Sequence, residues 1–464
     1  MEAPSHLIQA ESSLGRQINM VRCCQNPRNF ISCLVVFGLA TSQSNGCIQA
    51  ASAQITPDST LGAEQSVVVP NVSFNNQMGD RIDGGAIRGG NLFHSFLDFN
   101  IASGRAAYFT NPSGVSNIFS RVTGTSISNI QGTLGVLGTA NLFLINPNGI
   151  LFGPRASLDL RGSFVGSTAS QIQFADGTRY SARDPQVSPL LTVSLPIGLQ
   201  FGDNPGAIIQ RSQAINPISP NFAGEPGGLE VDPGETLALI GGEILLEGGN
   251  ITAPSGRVEL GSVGSNALVS LQPEAQGWSF SYGGVSAFRD IQITQRQEQT
   301  SLITSVIDVS SSLTLGQPLP SGEIQLQGQH IKINEGTEII AANLSDQPAN
   351  SLLINGSQSV ELSGSQGGGS MIVLALGAGP GGNLIINTPS LTVRDGSQIT
   401  TTTLGSGRGG NLIINAPAQV EITGGTRNQS GQLLLSTLFA GTAGSGDAGS
   451  ITINTPRLSI LDGG

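Results

Sequence analysis

Gly381-Gly382-Asn383-Leu384-Ile385-Ile386-Asn387-Thr388-Pro389 decides the fold, because it returns. It recurs as Gly409-Gly410-Asn411-Leu412-Ile413-Ile414-Asn415-Ala416-Pro417, and again as Ala448-Gly449-Ser450-Ile451-Thr452-Ile453-Asn454-Thr455-Pro456. Each copy runs into a second alternating stretch (Leu391-Thr392-Val393, Val420-Glu421-Ile422, Leu458-Ser459-Ile460) and then a turn at Asp395-Gly396, Gly424-Gly425 or Asp462-Gly463. Weaker copies begin at Gly242 and Gly322. Alternation with period two places Ile and Leu on one face of a strand and Asn, Thr or Gln on the other. One such unit cannot bury its apolar face alone, whereas stacked copies can, so the sequence predicts a solenoid of short strands. The fold class expected is all-β, a parallel β-helix. At about 20–25 residues per coil, the chain downstream of residue 53 would make about 17–20 coils, a rod of about 80–100 Å.

Composition agrees. Charged residues are 11% of 464, against roughly 25% in ordinary soluble domains. Glycine is 64 residues, aromatics are 5%, and apolar residues at 38% supply a core of Ile, Leu, Val and Ala. The formal net charge is −11 and Lys332 is the single lysine. A phosphate backbone needs clustered Lys and Arg, so nucleic acid is excluded as a partner. Anionic lipid is disfavoured for the same reason.

Residues 1–53 differ from the rest. Arg22 and Arg28 precede an eleven-residue apolar run from Phe30 to Ala40, too short to span a bilayer but suited to the core of a signal peptide. Ala51-Ser52-Ala53 is an A-x-A cleavage pattern that would start the mature chain at Gln54, with Met1 or Met20 as the first residue of the leader. All four cysteines (Cys23, Cys24, Cys33, Cys47) precede Gln54, so the mature region carries no thiol, disulfide or Cys-ligated metal. Losing three Arg and two Glu with the leader leaves a net charge of −12.

The region 54–300 is less regular than 301–464. It holds Phe93, Phe96, Phe99, Phe109, Phe119, Phe143 and Phe152 and the single tryptophan, Trp278, and is expected to be an elaborated folding unit continuous with the repeats. Segments 181–189 and 217–234 are expected to emerge as loops.

Catalytic patterns are missing. There is no G-x-S-x-G elbow and no H-E-x-x-H. His94 and His330 lie far apart, and carboxylates such as Asp98, Asp203 and Asp395 read as solvated turn positions. Gly377-Ala378-Gly379-Pro380-Gly381-Gly382 and Gly405-Ser406-Gly407-Arg408-Gly409-Gly410 match G-x-G-x-x-G. Both feed strands rather than a helix, so they are turns, not a dinucleotide site. Gly444-Ser445-Gly446-Asp447 is half of a calcium nonapeptide with no tandem copy. No catalytic residue, metal or cofactor is assigned.

One motif is sharper. Asn146-Pro147-Asn148-Gly149-Ile150 follows the apolar strand 141–145. Asn at the first position, Pro at the second and Gly at the fourth fit a type I turn. A related sequence, Asn111-Pro112-Ser113-Gly114, stands upstream.

On these residues the chain resembles the N-terminal secretion domain of filamentous haemagglutinin-like exoproteins of the two-partner secretion pathway. That family carries two Asn-Pro motifs, and the second, Asn-Pro-Asn-Gly-Ile, matches residues 146–150 without change. The first, usually Asn-Pro-Asn-Leu, falls on Asn111-Pro112 with Ser113-Gly114 in place of Asn-Leu. The order of leader, secretion domain and repeats also fits. The resemblance implies a right-handed β-helix and export through the periplasm by a dedicated outer-membrane β-barrel transporter. The product would be secreted or held at the cell surface and act in adhesion, on a host or surface glycan or protein. The alternative is an extracellular β-helical polysaccharide-degrading enzyme, which needs a carboxylate cluster on one face of the rod. The chain stops at Leu461-Asp462-Gly463-Gly464, inside a repeat, which suggests a truncated exoprotein or a partial chain.

Overall fold

The structure, a computed structural model, describes residues 55–186, 189–215, 221–275, 277–312, 316–364, 367–427 and 431–464. Among them no α-helix occurs, and 42 strands are joined by turns and one short 3-10 segment. The leader positions Ala51, Ala53 and Gln54 lie outside the described residues.

The strands stack as a parallel β-helix with three faces. On the first face, Asn91–Phe99, Asn117–Val122, Asn141–Ile145 and Phe164–Ser167 are joined in parallel register. The ladder continues through Thr236–Gly241, Arg257–Ser262 and Glu323–Asn334. It ends with Leu352–Ser363, Leu384–Asn387, Leu412–Asn415 and Ile451–Asn454. The second face stacks from Ser128–Ile130 through Ile150–Phe152, Ile208–Gln210, Ile244–Glu247 and Ile291–Thr294 to Leu458–Leu461. The third face is made by two separate sheets. One runs from Gln77–Gly84 to Ser157–Asp159 and the other from Leu229–Glu230 to Thr437–Thr442.

The first face carries eleven rungs, not 17–20, and spans about 50 Å at the usual strand spacing. The coil estimate spent the whole chain on coils. Chain instead leaves the helix to build an antiparallel sheet (Gln171–Phe174, Arg179–Ser181, Pro196–Gln200, Leu268–Pro273, Trp278–Ser281) and two hairpins, Arg296–Glu298 with Ser301–Ile303 and Gly425–Arg427 with Leu433–Leu435.

That antiparallel sheet explains the aromatic N-terminal region. It covers the outer side of the first face, so those strands are buried on both sides and lose strict alternation. Leu92, Ile118, Leu142 and Phe164 point into the helix. Phe93, Phe119, Phe143 and Val165, each one residue on, pack outward against Phe174, Tyr180, Leu199 and Trp278. Phe143 meets Phe119 and Trp278 with ring centroids 4.9 and 5.2 Å apart.

Beyond this cover the outward position turns polar and the repeat appears. Leu384–Asn387 and Leu412–Asn415 alternate buried and half-buried side chains. The outward Asn387 donates from Nδ2 to Asn355 Oδ1, Asn415 to Asn387 and Asn454 to Asn415, at 2.8, 2.8 and 2.7 Å. The Asn of each repeat is therefore one rung of a side-chain ladder. The G-x-G-x-x-G stretches are stacked turns. A Cβ at Gly405 would lie 2.3 Å from Gly377 O, and one at Gly407 would lie 2.1 Å from Gly379 O, so only glycine lets one turn rest on the next.

The N-terminal end is closed by antiparallel strands. Ile55–Pro57 and Ala86–Arg88 both pair with Asn91–Phe99, and Ser66–Phe74 forms a hairpin with Gln77–Gly84. In the last rung, Ile451, Leu458 and Ile460 are exposed, whereas their counterparts Leu412, Val420 and Ile422 are buried.

Candidate functional site

Asn141–Ile145 carries the chain along the first face, and Ile150 opens the next strand on the second. The corner between them is Asn146-Pro147-Asn148-Gly149. Gly149 N donates to Asn146 O at 3.1 Å, the first-to-fourth bond of a β-turn, and Asn148 N donates to Asn146 Oδ1 at 3.0 Å, an Asx turn within it. Gly149 has φ +134°, and a Cβ there would press to 3.0 Å from Ala207 O, so the position requires glycine.

The turn is almost entirely buried, with only Asn148 partly open, and it fastens three coils. Toward the preceding coil, Asn146 Nδ2 donates to Ser126 O and Ser128 Oγ, both at 3.0 Å, and Asn148 Nδ2 donates to Gly124 O at 2.8 Å. Toward the following coil, Asn146 N donates to Ser167 O, Gly206 N to Pro147 O and Ile150 N to Ala207 O. Both amide side chains satisfy backbone groups that no strand ladder reaches at a corner.

The upstream motif works differently. It joins Ala106–Thr110 on the third face to Asn117–Val122 on the first. Its turn bond runs from Val115 N to Pro112 O at 3.1 Å, so Asn111 stands before the turn instead of opening it. Asn111 Oδ1 accepts from Thr139 N and Ala140 N in the next coil, at 2.9 and 3.0 Å, and its Nδ2 donates to Val115 O at 3.0 Å. Ser113 and Gly114 are exposed. Because Asn117–Val122 and Asn141–Ile145 are paired, the two motifs sit at opposite ends of one pair of neighbouring strands.

A buried polar network that the sequence did not signal lies at the Asn146 end of these strands. Arg121, paired in register with Ile145, is 1% exposed. Its Nε donates to Ser95 Oγ at 2.9 Å, Nη1 to Ser181 O at 2.6 Å and Nη2 to Thr60 Oγ1 at 2.8 Å. The guanidinium lies 4.2 Å from the Tyr180 ring centre. Asp58 accepts from the hydroxyls of Thr60, Ser95 and Thr123 at 2.6–2.7 Å. Burial pushes the Asp58 carboxyl up, but hydrogen bonds from Thr123, Thr60 and Ser95 outweigh it and hold the group below the usual carboxylate range. The network ties the first described residues to the second rung and to the covering sheet. Only the packing of three distant segments reveals it.

His94 is fully buried beside Phe96 and Phe109, with Nδ1 3.0 Å from Ser66 Oγ, and burial lowers its pKa to about 3. It is a neutral core residue with no access to a substrate.

Glu259, on Arg257–Ser262 of the first face, is fully buried. It accepts from Tyr282 Oη at 2.6 Å, and burial raises its pKa to about 8. Unfolded, the carboxyl titrates near 4.5. Between these values unfolding releases a proton, so the stability contributed by this site falls as pH rises from 4.5 to 8. Glu259→Gln is expected to remove that slope and to leave the variant about 2–4 kcal/mol more stable than wild type at pH 8, with little difference at pH 4. Urea unfolding at both pH values checks this, and parallel pH profiles would refute it.

Among the described residues, no group of three or more His, Cys, Asp or Glu is arranged to hold a metal ion.

The model of the TPS secretion domain, the two-partner secretion family's export domain, matches residues 53–315. The crystal structure of the HMW1 secretion domain from Haemophilus influenzae is similar at 14% identity and TM-score 0.37, covering 88% of this chain and 100% of that one. The crystal structure of a filamentous hemagglutinin secretion domain is similar at 16% identity and TM-score 0.29, covering 88% and 99%. No curated protein matches the chain.

Proposed function

Because the chain belongs to the TPS secretion-domain family, whose model spans more than half of its length, we propose that residues 54–300 are the export-directing part of an adhesive surface exoprotein. Family membership makes the chain a two-partner secretion exoprotein, and such proteins are secreted across the outer membrane with a barrel transporter as partner. Residues 301–464 are the β-helical shaft, and residues 1–53 are a leader cut between Ala53 and Gln54. The shaft displays side chains for binding a surface glycan or protein.

The observation that carries this reading is the unaltered Asn-Pro-Asn-Gly-Ile at residues 146–150, inside the span the family model matches. In the folded rod its side chains are spent on neighbouring coils, so a transporter meets them only before folding. The motif then serves twice: as a signal in the extended chain and as a corner in the finished helix. Burying apolar side chains coil by coil drives that folding without nucleotide. A chain without cysteine after Gln54 also forms no disulfide that would block threading.

Expression in a Gram-negative host, with and without a co-expressed outer-membrane barrel transporter of the two-partner secretion type, tests the reading. The protein is expected in the medium only with the barrel, and its N-terminus at Gln54. Release without the barrel, or an intact leader on exported protein, would overturn it.

A further inference from the structure

The three faces of the helix are not equally continuous. Between the third and fourth rungs the first two faces keep their ladders, Leu142↔Phe164 and Ile150↔Ile208. The third does not. Ser157–Asp159 pairs only with Thr133–Leu137, and Leu229–Glu230 only with Ile251–Thr252, so each is the edge of its own sheet. A plain scaffold gains from continuing the ladder, and a break leaves two strand edges to be satisfied by something else.

What lies over the break is a groove of about 1570 Å³. It runs along the rod from Tyr108 past Asp159 and Glu230 to Asp308, crossing six rungs, or about 24 Å. Aromatic surface stands at both ends. At one, half-buried Phe74 packs on the buried Tyr108, with ring centroids 4.4 Å apart, and Phe222 is 42% exposed at the other. Between them the fold gathers carboxylates the sequence left scattered: Asp159, Glu230, Asp232, Glu235 and Asp308, against Arg155 and Arg161. Tyr108 Oη donates to Asp159, and Asp308 accepts from Phe222 N, so the aromatic and acidic groups hold each other in place. Burial raises the carboxyls of Asp232 and Glu235 above their usual range.

We propose that this groove binds a carbohydrate chain, neutral or amine-bearing, laid along the rod axis. A polyol chain presents hydroxyls to carboxylates and guanidinium groups, and ring faces to aromatic side chains, the mixture found here. The length suits a linear polymer rather than a single small ligand, and solenoids commonly use such extended surfaces. An excess of three carboxylates over guanidinium groups repels polyuronates and nucleic acids. This inference rests on the surface-binding part of the proposed function but places that binding among residues 54–300 rather than on the shaft, and it is tested on purified protein without a transporter, so its failure and that of the export reading are distinguishable.

The test is isothermal titration of the mature chain with cellohexaose, N-acetylchitohexaose, its N-deacetylated form, hexagalacturonate and an oligolysine. Saturable binding of at least one neutral or amino-sugar hexamer is expected, without binding of hexagalacturonate. Phe222→Ala, at an exposed position, and Asp232→Asn should each weaken it about tenfold or more while leaving the melting temperature unchanged. Three outcomes would overturn the proposal: no sugar binding, sugar binding that survives both substitutions, or tighter binding of hexagalacturonate or oligolysine than of any neutral or amino sugar.

Discussion

Asn146→Ala is expected to stop export and also to weaken the folded rod. The side chain is fully buried and makes four hydrogen bonds, two donated to Ser126 O and Ser128 Oγ and two accepted from Asn148. Removing it withdraws a partner from Ser126 O, the buried Ser128 Oγ and the Asn148 amides in two coils, at a cost of about 2–4 kcal/mol. A loss of that size does not by itself explain an export defect, because a transporter handles the chain before the rod exists. The discriminating control is Leu326→Ala, which removes a fully buried side chain far along the shaft at a similar cost. Asn146→Ala should leave precursor in the periplasm, while Leu326→Ala should be exported and merely melt earlier. If both variants are exported equally, the motif is a structural corner alone. If both are retained, stability rather than recognition governs export.

The second large effect concerns Arg121. Arg121→Met keeps much of the volume but withdraws three donated hydrogen bonds, two of them to hydroxyls that also bond Asp58. Expected destabilisation is about 3–5 kcal/mol, seen as a lower urea midpoint with unchanged slope. Adding Asp58→Asn should cost less in this background than in wild type, because both groups hydrogen-bond the hydroxyls of Thr60 and Ser95. A change below about 1 kcal/mol in the single variant, or strict additivity in the double, would show that hydroxyls alone hold this corner.

The architecture was legible wherever one side of a strand faces water. Leu384-Ile385-Ile386-Asn387 announces its period because Asn387 sits on an open ladder, and the same holds for Leu412–Asn415. Asn141–Ile145 does not alternate, since Phe143 and Ile145 lie under a second sheet that local sequence cannot reveal. The number of coils was overestimated for the same reason: residues that build the covering sheet look like rungs. The Asn146 turn could be read from residue types alone, because Asn, Pro and Gly each satisfy a local backbone demand. Arg121 and the groove could not. Their partners are brought close only by stacking, Arg121 reaching Thr60 and Ser181, and Asp159 sharing one surface with Asp308.

The interrupted third face also bears on how a tethered shaft carries load. Tension along the axis acts on the rungs in series, so every interface feels the whole force and the weakest yields first. Most interfaces resist with three ladders, and those near the C-terminal end add a stack of asparagine bonds. Between the third and fourth rungs only two ladders connect the halves. That joint therefore leans on the covering sheet, since Arg121 holds Ser181 O and Phe143 packs on Trp278 across it, and whatever bridges the groove's two walls shares the strain with the backbone.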